Sequence, residues 1–496
     1  MNPVLATEPL PAITNLKADG MRKDHYDLII LGAGSTAFAA ALRAQELGKT
    51  SLMVEERSIG GTCVNRGLPS KNLIEAAKLI HDAQNPRYPG LTPTCIRSNF
   101  PKLIEQKDQL IHSDRQKKHE SLAGGQFTIE KGHVEFIDDQ LVEVDDKRIT
   151  GEKILIATGS RPIVPNIEGL QDISYLTSEL LTADERTELR ELPRSLIILG
   201  GGYIALELGQ MFRRFGSEVT ILERSRQLLA HGYEPEVSKA IEEIFRAEGI
   251  TIFGSVMMRS VRKEGMHVLA TIETEGKQHA LRAENLLLAT GRRPNSDNIG
   301  IEKTGVKLGY QAQILVDEFL RTNVPHIFAA GDVIGREIGN QMAAPVGSQD
   351  GCIAAENAFT DRALRRIDHR VVPRTIFTDP QIATVGLIEK EAISAGHDCW
   401  RNTVSISLVP RAVAIRNPLG IVKMVADAAT DEVIGVSMVG DCAGEVIHEA
   451  AMALRFRAKV SDFIEQLHVY PTMAEALKIV AISRRKDPSK LSCCAE

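Results

Sequence analysis

Residues 25–56 read HYDLIILGAGSTAFAAALRAQELGKTSLMVEE, and this stretch decides the fold. Apolar strands at 28–31 and 51–54 enclose a glycine turn and a helix of small residues, which is the order of a β-α-β unit. In such a unit the backbone N–H groups at the start of the helix bind the pyrophosphate of a dinucleotide. The stretch therefore predicts an α/β domain that binds a nucleotide.

Four residues of this unit carry the prediction. Gly32 permits the tight turn, Gly34 lets the backbone approach a pyrophosphate, and Ala37 replaces the third glycine where helix packs close to strand. Glu55, at the end of the second strand, can accept a hydrogen bond from a ribose hydroxyl. A glycine turn alone is weak evidence, but the strand, the helix and the acidic strand end together favour a dinucleotide site.

The same unit occurs a second time. Residues 195–224 read SLIILGGGYIALELGQMFRRFGSEVTILER, with Gly200, Gly202 and Ala205 at the turn and Glu223 at the end of the second strand. Two nucleotide sites in one chain imply two cofactors, or one cofactor and a nucleotide substrate. A chain of 496 residues is also long enough to form several domains.

Three shorter segments accompany the two units: ATGSRP at 157–162, ATGRRPN at 289–295 and TNVPHIFAAGDV at 322–333. Each ATG segment ends an apolar strand with a turn of small residues, which suits a chain that crosses between domains. Asp332 follows a strand, where its carboxylate is placed to bind a hydroxyl group of a sugar phosphate.

The segment GGTCVNRGLPSK at 60–71 has the form of a redox-active dithiol motif, CxxxxC followed by Pro-Ser-Lys, from which the second cysteine is missing. Cys63 keeps the first position, and the chain is one residue shorter between Gly67 and Leu68. Three explanations are open: the natural chain lacks this cysteine, it was deleted by engineering, or a modified cysteine was left out of the written sequence.

These segments, in this order, resemble the flavin-dependent pyridine nucleotide-disulfide oxidoreductases, which include glutathione reductase and dihydrolipoamide dehydrogenase. The resemblance implies an α/β fold with two Rossmann-like dinucleotide-binding domains, for FAD and for NAD(P)H, and a C-terminal α+β dimerisation domain. It also implies a homodimer that builds each active site from both subunits.

The resemblance further assigns residues to the cofactors. Asp332 would contact the ribityl chain of FAD, and Lys71 and Glu207 resemble an ion pair close to the flavin's reactive nitrogen, although a surface salt bridge is the plainer alternative. The cofactor-binding residues that it implies are Gly32, Gly34, Ala37, Glu55, Thr62, Lys71, Thr158, Gly159, Gly200, Gly202, Ala205, Glu223, Arg224, Gly291 and Asp332.

The segment VYPTMAEA at 469–476 distinguishes branches of this family. Where disulfide reductases carry a catalytic histidine before a proline, this chain has Tyr470, while Glu475 is retained. A phenol, whose pKa is ordinarily about 10, is a poor general base at neutral pH, but it can ligate a soft metal. His468 lies two residues earlier, but the register to Pro471 makes Tyr470 the counterpart.

The chain ends in KLSCCAE, and adjacent cysteines at a terminus suit a soft cation better than a structural disulfide. Cys493 and Cys494 resemble the C-terminal pair with which mercury-reducing members of the family capture Hg(II). By the same resemblance Cys63 is the outer thiol of the active site and a further metal ligand. The missing cysteine corresponds to the thiol that lies against the flavin, so Cys63 alone offers Hg(II) a single sulfur.

Composition excludes few functions. A net charge of -6 gives no case for a nucleic-acid partner or an anionic membrane surface. Seven scattered cysteines, an odd number, favour a reducing compartment, and residues 1–24 have neither a signal-peptide pattern nor an apolar run that could span a bilayer. We therefore expect a cytoplasmic protein.

The predicted domain order follows the motifs. We expect a flexible tail at 1–24, an FAD-binding domain at 25–165 that continues as a central domain at 293–370, an NAD(P)H-binding domain at 166–292, and a dimer-interface domain at 371–496 that ends in the Cys-Cys tail.

The expected function is NADPH-dependent reduction of Hg(II), bound as a thiol complex, to Hg(0). Glu223 favours the free ribose of NADH, whereas Arg224 and Arg226 suit the extra phosphate of NADPH, and the resemblance favours NADPH. Because the second cysteine is missing, a redox-impaired NAD(P)H oxidase or mercury-binding flavoprotein is the second hypothesis. A disulfide reductase like dihydrolipoamide dehydrogenase is the third, disfavoured by Tyr470 and the Cys-Cys tail.

Overall fold

A computed structural model describes residues 24–122, 127–182, 189–336, 341–360 and 363–490. The predicted tail, apart from its last residue, and the predicted metal ligands Cys493 and Cys494 lie outside the described residues. Within the described ranges, no helix combines the length and the apolar character that crossing a membrane requires.

The first nucleotide-binding unit forms a mixed sheet around a parallel centre. Its strands run in the order β3-β2-β1-β6-β5-β4, and β17 pairs with β6. The strand β1 is almost wholly buried and is mostly apolar. This is expected for a parallel strand that is covered on both faces of its sheet. The strands are β1 (His25–Leu31), β2 (Ser51–Glu55), β3 (Phe127–Lys131), β4 (Val134–Phe136), β5 (Leu141–Val144), β6 (Lys147–Ile156) and β17 (Ile327–Ala329).

Helix α1 (Ser35–Glu46) joins β1 to β2, and helix α6 (Ala344–Ala358) packs against it. The two helices approach closely because small residues face each other: a Cβ atom at Gly351 would lie 2.2 Å from the backbone oxygen of Thr36. Two further helices, α2 (Leu68–Gln84) and α3 (Phe100–Leu122), follow the cysteine segment.

The second unit forms a parallel sheet in the order β11-β10-β9-β15-β8. Helix α4 (Tyr203–Phe215) joins β9 to β10, and helix α5 (Pro235–Ala247) joins β10 to β11. The strands are β8 (Leu176–Thr177), β9 (Ser195–Leu199), β10 (Glu218–Leu222), β11 (Thr251–Phe253) and β15 (Asn285–Leu288). An antiparallel sheet beside it consists of β12 (Met257–Glu264), β13 (His267–Thr274) and β14 (Lys277–Ala283).

The two ATG segments meet where the chain crosses between the units. They form the strands β7 (Ser160–Pro162) and β16 (Arg292–Pro294), which pair antiparallel to each other. The outgoing and returning chains therefore lie side by side, as expected for segments that connect two domains.

The C-terminal part is an antiparallel sheet with helices, in the strand order β18-β19-β22-β21-β20. The strands are β18 (Arg374–Ile376), β19 (Gln381–Gly386), β20 (Cys399–Ser405), β21 (Ile421–Asp427) and β22 (Val433–Gly440). The helices are α7 (Glu389–Ser394), α8 (Pro410–Ala414), α9 (Ala443–Arg455), α10 (Val460–Glu465) and α11 (Glu475–Ile482). The predicted α/β fold class with a C-terminal α+β part is confirmed, while the predicted domain boundaries stay predictions.

A cluster of four charged side chains joins the three parts. Asp379, between β18 and β19, accepts hydrogen bonds from Lys78 of α2 and Arg214 of α4, each at 2.9 Å. Arg214 also donates to Glu248, which follows α5, at 2.7 Å and 3.0 Å. Because Arg214 is 5% exposed and Asp379 10%, these charges interact where little water screens them.

Candidate active site

The first glycine turn has the geometry that binding a pyrophosphate requires. Gly32 has φ 111°, a conformation that favours glycine, and its N–H donates to the oxygen of Val54 at 2.7 Å. Gly34 begins α1 without a side-chain cap, so the first N–H groups of the helix are available to an anion. A Cβ atom at Gly34 would meet only Gly61, at 3.8 Å, which leaves room for a phosphate group. Ala37 is fully buried in α1.

The second glycine turn repeats this geometry. Gly200 has φ 115° and donates to the oxygen of Leu222 at 2.8 Å. Gly202 begins α4, again without a side-chain cap, and a Cβ atom there would meet no atom within 4 Å. Ala205 is fully buried where α4 packs on its sheet. Both turns therefore fit the pyrophosphate of a dinucleotide.

The two acidic strand ends occupy equivalent places. Glu55 accepts hydrogen bonds from the N–H groups of Ala33 and Arg57, each at 2.9 Å. Glu223 accepts from the N–H groups of Gly201 at 2.6 Å and Ser225 at 2.7 Å. Each carboxylate is thereby held against its glycine turn, where a bound ribose would be adjacent.

The residues around the crossing strands are linked by hydrogen bonds between the two ATG segments. The Thr158 hydroxyl donates to the backbone oxygen of Asn295 at 2.5 Å, and the Asn295 N–H donates to the oxygen of Gly159 at 2.9 Å. The oxygen of Gly291 accepts from the N–H of Ile163 at 3.0 Å. A Cβ atom at Gly159 would meet nothing within 4 Å, so this turn also borders open space.

Asp332 is connected to both crossing strands through Ser160. It lies on a short 3-10 helix (Gly331–Ile334) and accepts a hydrogen bond from the Ser160 hydroxyl at 2.6 Å. Ser160 in turn accepts from Nε of Arg292 at 2.9 Å. One carboxylate oxygen of Asp332 is thus fixed, and the side chain is partly exposed.

Lys71 and Glu207 form the ion pair that the sequence predicted. The Lys71 ammonium lies 2.5 Å from Oε2 of Glu207, which is 5% exposed, while Lys71 is 33% exposed. The other oxygen of Glu207 accepts from the N–H of Phe377 at 2.9 Å, and the Lys71 ammonium lies 5.1 Å from the centre of the Phe377 ring. The pair is therefore a partly buried bridge between α2, α4 and the C-terminal part, not a surface salt bridge.

Cys63 lies on a π-helix (Cys63–Gly67) that runs directly into α2. Cys63 and the preceding Thr62 are both exposed. Gly67, which immediately precedes Leu68-Pro69-Ser70-Lys71, has helical backbone angles. A Cβ atom at Gly67 would meet only the oxygen of Thr62, at 3.7 Å, so this position has room for a side chain. The shortened motif thus leaves one exposed thiol, and the helix continues from Gly67 directly to Leu68 without a second one.

Charged side chains surround this segment. Glu179, 13% exposed, lies 3.0 Å from Nε of Arg66 and 3.0 Å from Nη2 of Arg57. Burial works to raise the pKa of Glu179, but the hydrogen bond from Arg57 and the charge of Arg66 outweigh it and lower the pKa below its ordinary value. Glu179 therefore stays ionised and anchors both arginines.

The C-terminal segment presents Tyr470 to solvent. Tyr470 is 51% exposed, and Glu475, the first residue of α11, accepts from the N–H of Thr472 at 3.0 Å. His468, in contrast, is 5% exposed and lies 3.0 Å from Glu449 of α9. In this segment the phenol is thus exposed and the imidazole is not, while the catalytic assignment of Tyr470 stays a prediction.

Among the described residues, every cysteine is free: Cys63, Cys95, Cys352, Cys399 and Cys442. The same residues contain no group of three or more histidine, cysteine, aspartate or glutamate side chains that could hold a metal ion. The predicted ligands Cys493 and Cys494 lie outside them, so of the three predicted metal ligands the structure places Cys63.

Sequence reasoning missed three residues of this site. Ser160 bridges Asp332 and Arg292, and Asn65 is fully buried beside Cys63. Both lie inside segments already recognised, so their positions were a usable signal. Phe377 is 170 positions from its partner Glu207, and no local pattern connects the two.

The chain belongs to the pyridine nucleotide-disulphide oxidoreductase family: the family profile matches residues 26–351, and the profile of the family's dimerisation domain matches residues 372–481. It is accordingly an oxidoreductase that uses FAD and a nicotinamide nucleotide, which confirms the family resemblance seen in the sequence.

Particular relatives are similar along nearly the whole chain. The mercuric reductase of Staphylococcus aureus is 40% identical over 479 residues, covering 96% of this chain and 86% of that protein. The mercuric reductase of Streptomyces lividans is 42% identical over 478 residues, covering 95% and 98%. Among solved structures, the Cu(II) complex of the HOCl-induced flavoprotein disulfide reductase of Escherichia coli has a TM-score of 0.81 at 27% identity, covering 93% of this chain and 100% of that one.

Proposed function

We propose that this protein is an NADPH-dependent flavoprotein that reduces Hg(II), delivered as a thiol complex, to Hg(0). The reaction balances as NADPH plus Hg(II) giving NADP+, a proton and Hg(0). Similarity to the two mercuric reductases supports the substrate. The observation that carries the choice within the family is Tyr470, because the half-exposed phenol stands where a dithiol reductase needs a base.

The residues have separate roles in this proposal. The turn at Gly32 and Gly34 holds FAD, which when bound takes a hydride from the nicotinamide and supplies an electron pair to the metal. The turn at Gly200 and Gly202 holds the nicotinamide nucleotide. Lys71, fixed by Glu207, places a positive charge beside the flavin site.

Hg(II) binding is assigned to thiolates, which are the preferred ligands of soft cations. Cys493 and Cys494 capture the ion from small thiols and deliver it to Cys63, with Tyr470 of the partner subunit beside the site. The exposed position of Cys63 supports this delivery. A Cys493→Ser, Cys494→Ser double variant should lose activity with Hg(II) supplied as a complex with a small thiol, and unchanged turnover would remove the tail from the mechanism.

A homodimer with shared active sites belongs to the same proposal, supported by the dimerisation-domain match at residues 372–481. A subunit that lacks its partner should bind both nucleotides and fail to reduce Hg(II). Sedimentation velocity at the assay concentration measures the oligomeric state, and an active monomer contradicts the shared site. We further propose a cytoplasmic location, as the scattered free cysteines suggest, and cell fractionation tests it.

NADPH is the proposed electron donor, with NADH as the alternative. Both oxygens of Glu223 already accept backbone hydrogen bonds, which reduces the carboxylate's effect on an incoming phosphate. Arg224 and Arg226 are exposed beside it and suit the 2′-phosphate. Replacing both arginines by alanine should lower kcat/KM for NADPH on the order of tenfold and leave NADH unchanged. A higher kcat/KM for NADH in the unmodified protein overturns the assignment.

The single thiol supports a second candidate function. Cys63 has no neighbouring cysteine in its motif, since the chain runs from Gly67 directly to Leu68 without the second one. Such a protein could act as an NAD(P)H oxidase that transfers electrons to oxygen, or as a mercury-binding flavoprotein. For an activity like that of dihydrolipoamide dehydrogenase, the chain lacks both the second thiol of the motif and the histidine before Pro471.

The deciding experiment compares electron acceptors. NADPH oxidation is measured without oxygen in the presence of an Hg(II)-thiol complex, and then in air without Hg(II). Oxidation driven by Hg(II) supports the reductase, whereas oxidation in air alone supports the oxidase. The mass of the intact, reduced and denatured protein is measured as well. A mass greater than calculated by one cysteine residue would show that the second cysteine is present and that the dithiol motif is complete.

A further inference from the structure

In the segment that carries Cys63, exposed residues are followed directly by buried ones. Cys63 is exposed, whereas Val64 is 1% and Asn65 0% exposed. Val64 packs against Ile111 of α3, and the two form a small hydrophobic cluster of their own. Helix α3 therefore supports the cysteine segment from its buried side.

The Asn65 side-chain amide both donates and accepts hydrogen bonds. Its Nδ2 donates to the backbone oxygens of Gly61 at 2.9 Å and Ile59 at 3.1 Å, with a longer contact of 3.3 Å to Ser58. Its Oδ1 accepts from Nε of Arg115, on α3, at 2.6 Å. An amide suits this place because its NH2 group can donate to more than one carbonyl while its oxygen accepts from the guanidinium. The bond from Arg115 thus fixes which way the amide faces.

The carbonyl groups that Asn65 binds belong to a turn that lies on the FAD-binding turn. The N–H of Gly60 donates to the oxygen of Ala33 at 2.9 Å. A Cβ atom at Gly61 would lie 2.6 Å from the Cα of Gly34, so the two backbones touch. A continuous set of contacts therefore runs from α3 through Asn65 and Gly61 to the start of α1, and Cys63 lies in the sequence between Gly61 and Asn65.

We propose that Arg115 is a positioning residue that acts through Asn65 to hold Cys63 in place relative to the FAD-binding turn. The catalytic part of this inference rests on the proposed function, in which Cys63 presents Hg(II) to the flavin. Displacing a reacting group by about 1 Å can lower a rate on the order of 100-fold. Arg115 lies 50 positions from Asn65, and neither glycine turn includes it.

The test compares Arg115→Met with Lys117→Met in the FAD-loaded protein. Lys117 is an exposed cation on the same helix, so the control makes the same change of charge. In Arg115→Met we expect hydrogen exchange of the amides at 58–67 to rise about tenfold, because local opening becomes easier. We expect kcat for Hg(II)-driven NADPH oxidation to fall on the order of 10- to 100-fold, with KM for NADPH unchanged. Arg115→Lys, which keeps a charged donor, should restore part of both.

Each outcome decides something. Exchange at 58–67 equal to that of the Lys117→Met control overturns the positioning role, whatever the substrate is. If the unmodified protein does not oxidise NADPH with Hg(II), the proposed function fails, and the exchange measurement still decides the role of Arg115. If Arg115→Met does not fold, Arg115→Gln is measured instead, because glutamine also removes the charge and shortens the side chain, and exchange at 58–67 equal to that of Lys117→Met then overturns the proposal.

Discussion

Insertion of a cysteine between Gly67 and Leu68 tests whether the shortened motif limits the number of electrons that the protein can store. Counted back from Lys71, the inserted residue takes the helical position that Gly67 occupies now. A Cβ atom there meets only the oxygen of Thr62, at 3.7 Å, so the thiol has room. The insertion places a second thiol in the same segment as the exposed Cys63.

The expected effect is a change in the number of electrons that the protein stores. All described cysteines are free, so the unmodified chain should take up about two electrons per subunit, those of the flavin. A disulfide is a two-electron couple, so the insertion variant should take up about four. Anaerobic titration of the FAD-loaded protein with dithionite measures this number directly.

The matched control inserts serine at the same place, which lengthens the segment equally and adds no thiol. Equal electron uptake by the cysteine and serine variants would refute the prediction that the inserted cysteine forms a disulfide with Cys63. Uptake of about four electrons by the unmodified protein would show that a disulfide forms without the insertion, and repeating the titration with Cys493 and Cys494 replaced by serine tells whether the tail supplies it.

The remaining predictions concern the buried ion pairs. Glu207→Gln should lower the free energy of unfolding by about 1 kcal/mol, because the amide keeps an acceptor and Lys71 is one-third exposed; urea denaturation measures this, and an unchanged midpoint contradicts it. Asp379→Asn should cost about 3 kcal/mol at neutral pH, since Arg214 and Lys78 lose their shared counter-charge. Burial works to raise the pKa of Asp379, but the two cations outweigh it and lower the pKa. The stabilisation is therefore present above the ordinary pKa and lost as pH falls, so the difference between the two proteins should shrink below about pH 4, and a constant difference down to pH 3 would contradict the argument.

Local patterns were sufficient to predict the two nucleotide-binding units. A strand, a glycine turn, a helix and an acidic strand end lie within about thirty residues, so each unit is encoded in consecutive sequence. The structure accordingly places Glu55 and Glu223 against their turns. The two ATG segments were predicted only to suit a chain that crosses between domains, and their antiparallel pairing is a finding of the structure.

Contacts between distant segments could not be predicted in this way. Asp379 is 165 positions from Arg214, and Phe377 is 170 positions from Glu207. Neither contact leaves a periodic or motif-like signal in the sequence, because each needs only two groups that the fold brings together in a buried place. The sequence likewise predicted a shortened cysteine motif, but not the π-helix through which the chain continues into α2.

The four-charge cluster around Asp379 has a consequence for how nucleotides exchange. If the second nucleotide-binding unit rotated away from the C-terminal part, Arg214 would separate from Asp379. Breaking this buried ion pair would cost several kcal/mol. Hinged opening of whole units is therefore a slow route. Exchange of a bound nucleotide should instead depend on small side-chain rearrangements around the glycine turns, with the three parts of the chain staying together.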